Sequence, residues 1–295
     1  MLGIVGTIPD PGFPLIHGKI RWADGHIEIE GRRIAVNRCT PALMAAVLRA
    51  SECIQCPEIY AFLVGDIGKG DGSRKLYQFL AQHLPEFDFQ VLTFHYLQPD
   101  VDWHNKVLFA VEKMRRRPIL IADAGFMYAA KMSGQSECYD FFTPDAGELA
   151  FLADELAPHP FYTRGFILHQ NNNVPDLIQQ AYHHRNAADY LLVKGKSDHI
   201  AHKSQILGTV DLPSFDAMEA IGGTGDSLTG LLTALCGAGF NPIDAAFLAA
   251  GANRWTGHYA DTNPATQVTE LIDKIPQALS RILGDESHQR KSYPI

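Results

Sequence analysis

From about residue 57 onward, short apolar runs alternate with longer stretches whose apolar positions recur at helical spacing, the rhythm of strands and crossover helices around a mostly parallel sheet. The runs Ile59–Val64, Phe89–Phe94, Ile119–Ala122, Phe141–Thr143, Phe166–His169 and Tyr190–Val193 predict strands, and His199–His202 with Gln205–Leu212 predicts a hairpin. Between them, Leu76, Phe79, Leu80 and Leu84 give Arg74–Leu84 one apolar face, and Leu108, Val111 and Met114 do the same for Val107–Arg116. Gly147–Leu156 and Val174–His184 read as further helices. Right-handed crossovers then bring every strand-to-helix loop to one edge of the sheet, where open α/β folds build their sites.

The last third predicts three helices, Gly225–Gly237, Pro242–Tyr259 and Val268–Leu283, with small residues such as Ala245, Ala249 and Gly251 for close packing. Before residue 57, His26–Glu30 and Arg32–Val36 alternate polar and apolar residues around Gly31, and Thr40-Pro41 opens a helix over Ala42–Ile54. The expected organisation is an N-terminal extension of hairpin plus helix over 1–56, an edge addition or a dimer arm, packed on a main domain over 57–295.

Composition narrows the function classes. With 46% apolar and 20% charged residues over 295 positions, the chain can bury a core without disulfide or metal. A net charge of −8 supplies no basic surface for nucleic acid, and the one dense basic run, Arg115-Arg116-Arg117, reads as the close of a helix before Pro118. No apolar run reaches membrane-spanning length, and the proline-rich start lacks the features of a signal peptide. Five scattered cysteines fit reduced thiols in a cytoplasm. Cys53 and Cys56 form a Cys-x-x-Cys pair with no second pair to complete a zinc site, which leaves plain thiols or redox chemistry.

Three segments at the functional edge carry candidate chemistry. In Gly222-Gly223-Thr224-Gly225-Asp226, glycines at a helix start let backbone N–H groups converge on an anion, and Asp226 either caps the helix or takes a proton from a hydroxyl beside a phosphate. In Thr143-Pro144-Asp145-Ala146-Gly147-Glu148, Glu148 either completes a capping box or holds Mg²⁺ or its waters. The loop Gly65-Asp66-Ile67-Gly68-Lys69-Gly70-Asp71-Gly72-Ser73 fits neither phosphate-loop nor dinucleotide spacing, so Gly68, Lys69, Gly70 and Asp71 either touch ligand or form a connecting turn. Asp123, Lys194 and Gly195 end strands at the same edge, as ligand contacts or as caps and turn formers.

Taken in order, Thr143-Pro-Asp-Ala-Gly-Glu148, Leu192-Val-Lys-Gly195 and Gly222-Gly-Thr-Gly-Asp226 resemble the ribokinase-like superfamily, and within it the NAD(P)H-hydrate dehydratase branch, over about residues 57–285. The resemblance implies a three-layer α/β/α sandwich with a central mostly parallel sheet that uses ATP or ADP with Mg²⁺ to phosphorylate a hydroxyl of a small molecule. It implies Asp226 as base, the amides of Gly223, Thr224 and Gly225 as anion hole, and Glu148 at the metal. Lys194, Gly195, Gly222 and Asn253 would lie at the nucleotide, with Asn253 flanking adenine, and Gly68, Lys69, Gly70, Asp71, Asp123 and Asp145 near the acceptor. In that branch the acceptor is hydrated NADH or NADPH, and phosphate loss restores the cofactor; relatives commonly form homo-oligomers. Two departures bear on the acceptor. Asp145 stands where the branch shows His, and the 65–73 loop replaces its Gly-Ser loop. A kinase of another small alcohol, or a non-catalytic nucleotide-binding module, are the competing readings.

Overall fold

The computed structural model describes residues 1–157 and 173–289. The strand expected at Phe166–His169 lies outside the described residues. In chain order the strands are β1 (Leu2–Ile8), β2 (Ile16–Ala23), β3 (His26–Ile29), β4 (Arg32–Ala35), β5 (Ile59–Gly65), β6 (Val91–His95), β7 (Ile119–Ala122), β8 (Phe141–Phe142), β9 (Tyr190–Val193), β10 (Asp198–His202) and β11 (Gln205–Val210). The helices are α1 (Thr40–Ala50), α2 (Asp71–His83), α3 (Val101–Glu112), α4 (Ala124–Met132), α5 (Ala146–Ala153), α6 (Val174–His183), α7 (Thr224–Gly237), α8 (Pro242–Tyr259), α9 (Val268–Ile272) and α10 (Ile275–Gln289). These elements form two compact units: Met1–Lys19 with Glu58–Thr209, and Ile20–Pro57 with the chain from Val210 onward.

The first unit is the expected α/β arrangement. Strands β5, β1, β6, β7, β8 and β9 pair in parallel in that order, with β10 antiparallel to β9 and the start of β2 antiparallel to β5. The N-terminal segment is not an edge addition: β1 lies between β5 and β6, and all seven of its residues are buried. Its run Leu-Gly-Ile-Val-Gly-Thr-Ile does not alternate because a central parallel strand is covered on both faces. A Cβ on Gly3 would stand 2.7 Å from Leu92 Cδ1, so glycine lets the neighbouring side chain fill that space. Helix α4 arises where sequence periodicity predicts none, and Arg115–Arg117 lies beyond the end of α3. There Arg116 pairs with Asp88, and Arg117 pairs with Asp140 and donates to the Cys138 carbonyl.

In the second unit the rest of β2 pairs with β3, and β3 with β4, all antiparallel. The connecting residues Asp24, Gly25, Glu30 and Gly31 have positive φ, the conformation that two-residue hairpin turns require. Helix α1 packs on α7, α7 on α8, and α8 on α10, burying Leu43, Val47, Leu231, Leu235 and Ala249. The closing segment is two helices, not one, with α9 ending before Asp273 and α10 starting at Ile275 with Pro276 in its first turn.

Candidate active site

At the carboxyl ends of the first unit's parallel strands, a buried network joins three of the expected residues. Asp123 ends β7 and caps α4, its Oδ1 accepting from the Ala124 N–H at 2.8 Å. Lys194 ends β9 and donates its Nζ to both Asp123 oxygens at 2.9 and 3.0 Å, with side-chain exposures of 13% and 3%. Burial alone would push this ammonium down, but Asp123 and Glu148 outweigh it and hold Lys194 charged above its ordinary range. His95 Nε2 stands 3.8 Å from Asp123 Oδ2.

Glu148 forms the capping box that its spacing allows. Its amide donates to Asp145 Oδ1, and its Oε2 accepts from the Asp145 N–H, both at 2.8 Å, closing a capping box at the start of α5. Its Oε1 accepts from Tyr128 on α4 at 3.2 Å. Burial pushes its carboxyl up to about 8, against the pull of Lys194 and with further upward pressure from Asp145 and Asp123. Gly195 donates its N–H to Asp198 Oδ1 at 3.0 Å, which ties the end of β9 to the start of β10.

The glycine loop before α2 folds around its own acid. Asp66 Oδ1 accepts from the amides of Gly68, Lys69 and Gly70 at 2.9 to 3.1 Å, and Oδ2 accepts from the Ser73 N–H and Oγ at 2.8 Å. Burial opposes the charge, but these donors outweigh it and hold Asp66 below its ordinary value. The loop amides therefore face an internal carboxylate, while the side chains of Lys69 and Asp71 differ in position, on the loop and at the first residue of α2. Gly72 is required by close approach, since a Cβ there would meet the Gly65 carbonyl oxygen at 2.0 Å.

In the second unit, Gly223 precedes α7 in the left-handed region at φ 107°, and a Cβ there would stand 2.9 Å from Val268 Cγ2. Gly223, at the N-cap position of α7, has no side chain to cap it. Asp226, 8% exposed in its first turn, accepts from the Cys39 N–H at 2.6 Å through Oδ2. Thr224 Oγ1 donates to the Met218 and Ile221 carbonyls, and Gly222 and Gly225 flank this start. Asn253 on α8 is 7% exposed and spends its amide on α7: Oδ1 accepts from Ser227 Oγ at 2.8 Å and Nδ2 donates to the Thr224 carbonyl at 3.2 Å.

Sequence reasoning did not single out His95, Tyr128 or Cys39. His95 ends a parallel strand, a position that was readable. Tyr128 acts through a helix the pattern did not show, and Cys39 acts through its backbone, which no residue type signals. Cys53 and Cys56 make no common site: Cys53 Sγ lies 3.4 Å from the Pro276 carbonyl oxygen and Cys56 Sγ 3.4 Å from that of Ala234.

The parallel sheet with its helices and glycine-started helix defines a ribokinase-like α/β protein. Its fold is similar to the ADP/ATP-dependent NAD(P)H-hydrate dehydratase of Bacillus subtilis co-crystallized with ATP/Mg²⁺ (TM-score 0.60, 16% identity, 95% of this chain and 90% of that one). It is also similar to phosphofructokinase-2 of Escherichia coli (TM-score 0.51, 15% identity, 95% and 100%). Residues 98–277 match the NAD(P)H-hydrate dehydratase family, and the chain belongs to it. It is 40% identical over 242 residues to the uncharacterized protein MJ1337 of Methanocaldococcus jannaschii, covering 82% of this chain and all of that one. It is 34% identical over 93 residues to the bifunctional NAD(P)H-hydrate repair enzyme Nnr of Hyperthermus butylicus, 30% of this chain and 17% of that one. The protein is thus a nucleotide-dependent enzyme of the dehydratase or ribokinase-like kinase type. No described helix is long and apolar enough to cross a membrane.

Proposed function

We propose that the protein restores hydrated NADH or NADPH, using ATP or ADP to phosphorylate the ring hydroxyl and then releasing phosphate. The observation that carries this reading is Asp226, a buried carboxylate in the first turn of a glycine-started helix, whose Oδ2 accepts from the Cys39 N–H of another segment. Asp226 takes the hydroxyl proton as that oxygen bonds to the terminal phosphorus and the nucleotide leaves one phosphate shorter. The amides of Gly223, Thr224 and Gly225, at the positive end of α7, stabilise the migrating phosphoryl group. Breaking the carbon–oxygen bond to the new phosphate, with loss of a proton from the neighbouring carbon, restores the ring double bond.

Mg²⁺ prefers carboxylate oxygens and keeps most of its waters, and Glu148 is the residue proposed to support it. Since both Glu148 oxygens already accept hydrogen bonds, this residue would hold such an ion through water. When bound, Mg²⁺ neutralises charge on the phosphates. Lys194 adds a fixed positive charge, and Lys69 and Asp71 offer side-chain contacts to the acceptor. The reaction belongs to a cytoplasmic homo-oligomer.

A kinase of another small alcohol is the second reading, favoured by Asp145 in its capping role and by the loop amides committed to Asp66. The two separate in one assay of purified protein, Mg²⁺ and ATP or ADP with hydrated NADH. The dehydratase reading expects reduced-nicotinamide absorbance to return, with one nucleotide preferred. Asp226→Asn should lower turnover about a hundredfold or more while nucleotide still binds. No return of absorbance, with nucleotide still raising the melting temperature, would reject the dehydratase and leave the kinase or a nucleotide-binding module.

A further inference from the structure

Cys39 precedes α1 with φ 61° and ψ −149°, a backbone region that side chains avoid and that is close to glycine-only. Its carbonyl accepts from the amides of Ala42 and Leu43, so it serves as the N-cap of α1, yet its side chain makes no cap. The unusual conformation has one visible product: the Cys39 N–H meets Asp226 Oδ2 at 2.6 Å. Two helix N-termini thus converge near one carboxylate, since α1 begins at Thr40 and Asp226 lies in the first turn of α7. Their approach depends on Gly230, where a Cβ would fall 2.5 Å from the Leu43 carbonyl oxygen.

We infer that the Cys39 backbone amide is a positioning group that fixes the plane of the Asp226 carboxylate and keeps it ionised for proton acceptance. The inference rests on Asp226 as the base. The thiol is not the working part. Burial, and then the charge of Asp226, push it up to about 11 despite the opposing pull of Arg38, so it stays protonated and uncharged at neutral pH. Backbone strain concentrates at functional positions when surrounding structure over-determines it. Here the over-determination comes from the α1 cap on one side and the Asp226 bond on the other.

The test replaces the amide of residue 39 by an ester, incorporating the hydroxy-acid analogue of alanine, beside a Cys39→Ala control. The ester keeps the trans backbone shape, removes the donor and also weakens the Arg38 carbonyl as an acceptor. A hydrogen bond to a charged group sets the scale, so kcat should fall roughly tenfold to a hundredfold at unchanged KM, with the acid limb of the kcat profile moved to higher pH. Cys39→Ala keeps the amide and loses only the thiol, so the ester's kcat is read against it. A folded ester variant with kcat within about twofold and an unmoved acid limb would overturn the inference.

A second pair covers failure of the ester variant to fold. Cys39→Gly accepts this backbone and Cys39→Val is driven out of it, so Cys39→Val should have the lower kcat of the two; equal activities would also overturn the inference. The Asp226 carboxyl titration, followed by carbon NMR, needs no turnover and should move upward in the ester variant. Turnover retained in Asp226→Asn would instead remove the base assignment, whatever the ester shows.

Discussion

Asp66 shows how a single carboxylate organises a loop. Three backbone amides fill its Oδ1, and the Ser73 amide and hydroxyl fill Oδ2. In Asp66→Asn the side-chain amide would turn a second donor toward Ser73 or toward the loop, a loss of about 2–3 kcal/mol measured by urea unfolding. Because the folded carboxyl is held below its ordinary value, its contribution is present above that value and is lost as pH falls through the folded one. The acid-side loss of stability should therefore be smaller in Asp66→Asn. Lys194→Met makes a harsher change, since it leaves Asp123 buried without its cation; about 3–5 kcal/mol should be lost in the same measurement. Sequence gave Glu148 and Asp226 the same two alternatives, cap or chemistry. Coordinates add which N–H each carboxylate meets: Glu148 closes its own box, and Asp226 accepts from the Cys39 N–H.

Among the elements, legibility follows contrast between faces. Helix α8 and strand β9 begin and end where the sequence pattern places them, Pro242–Tyr259 and Tyr190–Val193. Helix α4, Ala-Gly-Phe-Met-Tyr-Ala-Ala-Lys-Met, has almost no polar face, because Phe126, Met127, Ala129 and Ala130 are all buried, so no periodicity announces it. The break between α9 and α10 hides for the opposite reason. Leu271, Ile272, Ile275, Ala278 and Leu279 are buried on both sides of it and continue the apolar pattern. Close packing is equally silent in sequence, and Gly230 is the sharpest case. Gly230→Ala should force α7 away from α1, costing about 1–3 kcal/mol in unfolding experiments. Its kcat should fall further than its nucleotide affinity, because the displaced helix carries Asp226. Asn253→Ala should act similarly by freeing the first turn of α7, and unchanged selectivity for adenine over guanine nucleotides would separate this clamp from a base contact.

For the whole molecule, order along the chain and order in space diverge. The sequence divides visibly near residue 57, where the strand-and-helix rhythm begins, yet the second compact unit joins Ile20–Pro57 to the chain from Val210 onward. Neither unit is a continuous segment, and the first borrows its strand between β5 and β6 from the extreme N-terminus. This makes a sharp prediction for the shortened chain 57–295. Without β1, the facing edges of β5 and β6 would lose parallel partners along Ile59–Gly65 and Val91–His95. Their unpaired backbone groups, together with the apolar area that Ile4 and Val5 cover, exceed the stability of an ordinary domain. Residues 57–295 should therefore show no cooperative thermal transition and no near-ultraviolet circular dichroism, while retaining some helical signal. Supplying residues 1–56 as a separate chain should restore both in proportion to its concentration. A cooperative melt of 57–295 alone would mean that β5 and β6 can close on each other without the N-terminal segment.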